Sequence, residues 1–187
     1  KNEAMYTGVS GCYSTLIHEF QHLINYTYSY NNYISTGTLT YQPDFINEAF
    51  SMAAEHMFYG TQTSRIIWFN KYVNGSSLTN WTGTLDNHSL SYLFGQYIRT
   101  QYGSDTIFKK VSTSNQSSEI AYLNYISSLL GVDSKTLIKN FFVALKAKTT
   151  TGVYGFKGES WADSISPLTT TSTSFTLPTG AAVYKTK

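Results

Sequence analysis

The sequence predicts a mainly α-helical domain followed by a short β-rich tail, and three observations carry that reading. Apolar residues recur at helical spacing in seven successive segments between Tyr13 and Lys148. Gly60, Asn74-Gly75 and Gly103 punctuate those segments as helix stops. After Lys148 the chain turns Ser/Thr-rich, with short β-prone pieces around Pro178-Thr179-Gly180. We therefore divide the chain into a helical unit, 1–148, and a β/loop tail, 149–187.

The elements follow in order. Asn2 to Tyr6 is semi-apolar and fits the end of a β-strand. Gly8 and Gly11 precede a helix over Tyr13 to Tyr28, in which Leu16, Ile17, Phe20, Leu23 and Ile24 form the face expected to bury it. Ser29 to Gln42 is polar and turn-rich. Pro43-Asp44 starts a second helix that runs to Tyr59, and Thr63 to Val73 forms a third. Asp86 or Asn87 can cap a fourth that ends at Tyr102. Three more cover Asp105 to Val111, Ser118 to Leu130 and Asp133 to Lys148, with Asp133 as an N-cap.

Composition excludes several function classes. The 187 residues are 41% hydrophobic and 16% aromatic, enough for a core in one domain. Charged residues supply only 13%, and a net charge of +2 with scattered Lys and Arg offers no stripe for nucleic acid. No apolar run approaches the roughly 20 residues of a membrane span. A single cysteine, Cys12, rules out an internal disulfide framework. The charge-poor, Ser/Thr/Tyr-rich make-up fits an exported bacterial protein, secreted or at the cell surface. The start at Lys1-Asn2-Glu3, without an initiator Met, reads as a trimmed product or a fragment. Asn-X-Ser/Thr triplets at Asn25, Asn74, Asn80, Asn87 and Asn115 matter only in a host that glycosylates.

Chemistry concentrates in His18-Glu19-Phe20-Gln21-His22. A helix turns about 100° and rises about 1.5 Å per residue, so His18 and His22 share a face about 6 Å apart along the axis. Two imidazoles so placed can converge on one cation. Glu19, about 100° around from His18, can reach a water on that cation and act as general base. The expected metal is a single Zn²⁺. Calcium is not expected to be essential, since the chain has no Asp/Glu cluster of the kind that binds it.

A third ligand is needed, and Glu48, 26 positions past His22 on the next helix, is placed to supply it. Glu55 lies seven residues later, about 10 Å further along, so both cannot bind one zinc. Glu55 is better placed to accept the second N–H of a ligating histidine; its alternative is a solvated helix charge. His56 reads as a packed or surface histidine. His88 or Tyr92 could donate to the oxyanion of peptide hydrolysis, and the sequence does not choose between them.

These residues resemble the gluzincins, zinc peptidases with HExxH and a glutamate third ligand. Asn47-Glu48-Ala49 with Ser51 is similar to the third-ligand segment of thermolysin-like enzymes, which makes Asn47 a supporting residue. Position 52 is Met where that group carries an aspartate that braces a zinc-binding histidine, and Glu55 can take over that role. Overall the chain most resembles the hyicolysin family of secreted bacterial neutral metallopeptidases. The likeness runs through Asn2 to Tyr6, Ser14 to Ile24, Phe45 to Ala49 and Ser91 to Ile98. It implies a zincin-like fold (α+β, here the helical lower subdomain) in which a β-sheet subdomain precedes the zinc helix. Only Asn2 to Tyr6 could belong to that sheet here, as an edge-strand remnant with Tyr6 and Gly8 near the substrate. The resemblance implies a zinc endopeptidase acting on peptides or proteins. An aminopeptidase of the same group, or a non-catalytic zinc-containing surface module, are the alternatives.

Overall fold

In the computed structural model, which describes residues 9–186, seven α-helices carry the chain. They are α1 (Val9–Thr36), α2 (Asp44–Tyr59), α3 (Thr63–Tyr72), α4 (Leu85–Tyr102), α5 (Thr106–Ser112), α6 (Glu119–Leu129) and α7 (Ser134–Ala147). The fold is mainly α, with a minimal strand content. Among the described residues no helix is long and apolar enough to cross a membrane. The expected strand at Asn2 to Tyr6, with Tyr6 and Gly8, lies outside the described residues.

Helix α2 is the central element, packed against α1 on one side and α4 on the other. Phe45, Ile46, Phe50 and Met52 are all at most 2% exposed. Burial at about 1.5–3 kcal/mol per such side chain makes α2 a firmly anchored platform. Helices α2 and α4 approach closely because position 95 is Gly: a Cβ there would sit 2.8 Å from the Ala49 carbonyl oxygen. Helices α1 and α2 run antiparallel, since His18 meets Glu55, His22 meets Ser51 and Asn25 meets Asn47.

Two expectations are corrected. Helix α1 does not stop at Tyr28 but continues through the polar stretch to Thr36. Tyr26 stacks on Tyr30 and Tyr30 tilts against Tyr33 at helical spacing, and Ser35 and Thr36 bond back to the Asn32 carbonyl. Gly37, at φ 72°, ends it. The helix also begins earlier, at Val9, passing through Gly11. Second, the apolar stripe does not bury α1: Leu16, Phe20 and Leu23 are 61%, 63% and 56% exposed. The face turned to α2 is instead the polar one, bearing Ser14, His18, His22 and Asn25.

Other boundaries sit within a residue or two of expectation. Helix α4 starts two or three residues earlier than a cap at Asp86 or Asn87 would place it. Thr84 is the N-cap, and the Asn87 side chain reaches back to accept from the Thr84 hydroxyl at 3.0 Å. Ser118 and Asp133 cap α6 and α7. The segment beyond Lys148 packs onto the helices, with Phe156 and Ile165 in the same core. Strand β1 (Thr169–Thr170) pairs in parallel with β2 (Tyr184–Lys185), and the Tyr184 hydroxyl donates to the Phe142 carbonyl at 2.9 Å.

Candidate metal centre

Helix α1 presents His18 and His22 on one face, as their spacing requires, and α2 brings Glu48 up to both. His18 Nε2 and His22 Nε2 are 3.0 Å apart. Glu48 Oε2 lies 3.3 Å from His18 Nε2, and Oε1 lies 3.4 Å from His22 Nε2. One donor atom from each residue falls within 4.8 Å of the others. Glu55 contributes no atom to this group.

The outer nitrogen of each imidazole is engaged, which decides what the inner one can do. His18 Nδ1 donates to Glu55 Oε1 at 2.7 Å, and Glu55 Oε2 is itself held by the Ser14 hydroxyl at 2.7 Å. His22 Nδ1 faces the Ser51 hydroxyl at 3.0 Å, whose own proton goes to the Asn47 carbonyl at 3.1 Å. Each ring therefore keeps a proton on Nδ1 and turns Nε2, the nitrogen a metal would bind once it is unprotonated, toward Glu48. Glu48 Oε2 is buried without a hydrogen-bond partner. Lone pairs converging from two imidazoles and a carboxylate repel one another unless a cation or a proton sits among them.

The electrostatics agree. Burial by itself lowers the His18 pKa, yet Glu48 and Glu55 outweigh it and raise the value to about 9. Glu48 raises His22 as well, against its partial burial and with help from Asn47. Burial pushes the Glu48 carboxyl up, but His18 and His22 override it and hold Glu48 well below the ordinary carboxylate range. The donor set of two imidazole nitrogens and one carboxylate fits Zn²⁺.

Around this group the structure brings His88 but not Tyr92. His88 Nε2 lies 3.6 Å from Glu48 Oε2, its Nδ1–H donates to the Thr84 carbonyl at 2.8 Å, and Trp81 backs its ring. Tyr92 is fully buried. Its hydroxyl is 2.8 Å from His56 Nδ1 and accepts from the Gln62 backbone N–H at 3.2 Å, so it faces the interior between α2 and α3. His56 is a packed histidine, with its ring edge-on to Trp161. Glu19 is exposed beside His18 and makes no hydrogen bond or ion pair among the described residues.

Sequence reasoning missed Ser14 as the support of Glu55 and Asn25 as a neighbour of the centre. A signal for both was present: Ser14, His18, His22 and Asn25 follow one another at spacings of four, four and three, the repeat of a single helix face.

No family model matches the chain. It is similar to the neutral metalloprotease ShpI of Staphylococcus hyicus, 35% identical over 187 residues covering 93% of the chain. The chain spans 42% of that relative's length. The resemblance to the hyicolysin group thus extends well beyond the zinc helix and the Tyr92 block.

Proposed function

We propose that the chain is the zinc-binding, catalytic part of a secreted metallopeptidase, and that it cleaves peptide bonds within polypeptides. The observation that carries this reading is the meeting of His18, His22 and Glu48 with both outer imidazole nitrogens engaged and one carboxylate oxygen orphaned. The similarity to a protein named as a neutral metalloprotease supports it.

His18, His22 and Glu48 would hold the zinc. Bound there, zinc supplies Lewis acidity and brings the pKa of water down to about 7. Glu19 takes the proton from the attacking water and passes it to the departing amine. Its solvent exposure beside His18 suits that exchange. In its imidazolium form, with Nδ1–H held on the Thr84 carbonyl, His88 donates its Nε2–H to the oxygen of the scissile carbonyl as charge develops on it. The Thr84 carbonyl and Trp81 orient that ring. Glu55 and Ser51 keep the two imidazoles in the metal-binding tautomer.

The exposed stripe of Leu16, Phe20 and Leu23 supports a further element of this reading, an upstream β-sheet subdomain that covers α1 and lines the cleft. Substrate would pair along its edge strand.

Zinc content and casein hydrolysis, measured together on wild type and Glu19→Gln, test the assignment. We expect one zinc per chain in both, with hydrolysis lowered by about 10²–10⁴-fold in the variant. Equal hydrolysis in both would overturn the role of Glu19, and zinc without hydrolysis in a chain that includes the upstream subdomain would favour a non-catalytic module.

A further inference from the structure

We propose that Asn25 is a positioning residue of the metal centre, one that locks the zinc helix to both α2 and α5. The inference rests on the zinc-site reading above. Asn25 lies three residues beyond His22 on the same face of α1 and is 4% exposed. A primary amide this deep is costly unless it is bonded, and here three of its four hydrogen-bonding positions are filled. Its Oδ1 accepts from Gln21 Nε2 at 3.0 Å and from the Ser112 hydroxyl of α5 at 3.0 Å. Its Nδ2 donates to Asn47 Oδ1 at 2.6 Å.

Those partners tie Asn25 to two metal-binding side chains at once. Asn47 immediately precedes Glu48, and its carbonyl takes the proton of Ser51, the hydroxyl that faces His22 Nδ1. A shift of Asn47 therefore moves the Glu48 backbone and the support of His22 together. Ser112 is 3% exposed, so α5 closes the network from behind and water cannot substitute. The same geometry disposes of the glycosylation triplet Asn25-Tyr26-Thr27. Its attachment atom, Nδ2, is committed to Asn47 in the interior.

Asn25→Asp keeps the volume and both acceptor roles but turns an oxygen, in place of a donor, toward Asn47 Oδ1. We expect its zinc dissociation constant, read by chelator competition, to rise about 10–100-fold. The metal-free variant should fold with a lowered melting temperature, and added zinc should restore both its stability and its hydrolysis. Ser112→Ala, which removes one donor and leaves the Asn25–Asn47 bond, should weaken zinc about threefold or more. It carries the test should Asn25→Asp fail to fold. Wild-type zinc affinity in the folded variants overturns the proposal while the zinc-site reading stands. So does a loss of metal-free stability that added zinc does not rescue, since that marks a purely structural role. Failure of wild type to bind zinc overturns the zinc-site reading, and the proposal with it.

Discussion

Glu55 Oε1 accepts the Nδ1–H of His18 at 2.7 Å from the turn of α2 beyond Met52. Met52 is fully buried and apolar, so the brace that thermolysin-like enzymes place at this position cannot come from it. The longer Glu55 side chain supplies it, steadied by Ser14. Removing an outer partner of a ligating imidazole commonly costs 10–100-fold in metal affinity. Glu55→Ala should therefore raise the zinc dissociation constant by about that factor, measured by chelator competition. An unchanged constant would mean His18 is held by α1 alone.

Zinc bound at the proposed site would have to displace the proton that Glu48 and Glu55 help His18 to hold. The folded pKa of about 9 exceeds the ordinary 6.5, so this group stabilises the metal-free protein fully below pH 6.5. That contribution fades as pH rises through 9. We expect the melting temperature of the metal-free protein to fall between pH 6.5 and 9, and apparent zinc affinity to rise over the same window. Melting curves at three pH values, with and without zinc, read both trends; a metal-free melting temperature that climbs with pH would contradict the assignment.

His88 and Tyr92 separate by readout. His88→Ala should retain zinc and lower kcat by about 10²–10³-fold. Tyr92→Phe should leave kcat near wild type. It loses the bonds to His56 and Gln62, at about 0.5–1.5 kcal/mol of stability. Steady-state kinetics beside urea unfolding will sort the two, and a large kcat loss in Tyr92→Phe would reverse the assignment.

Gly95→Ala tests whether the α2–α4 crossing positions Glu48. The added methyl meets backbone rather than a movable side chain. Overpacking of this kind costs about 1–3 kcal/mol, which a urea titration would resolve. Wild-type stability would show that the two helices can part freely.

Much of this was legible in the sequence because local rules govern it. Spacing placed His18 and His22 on one face, axial rise set Glu48 and Glu55 too far apart to share one cation, and Asp133 marked a helix start by its own side chain. What escaped was set by tertiary context. The stripe of Leu16, Phe20 and Leu23 obeyed the helical period, but period alone does not say which face packs, and here the polar face does. The run from Ser29 to Thr36 lacks strong helix formers and continues the α1 backbone, with ring contacts from Tyr26 to Tyr30 and from Tyr30 to Tyr33 along it. His88 and Tyr92 share a helix, one turn apart, and only the neighbours of each decide that one faces Glu48 and the other the core.

The most direct test is the anomalous scattering of zinc in a crystal of the metal-loaded protein, recorded at the zinc absorption edge. The account predicts a single strong peak about 2.0–2.2 Å from His18 Nε2, His22 Nε2 and a Glu48 carboxylate oxygen. A peak elsewhere, or one at the two histidines with Glu48 turned away, would contradict it.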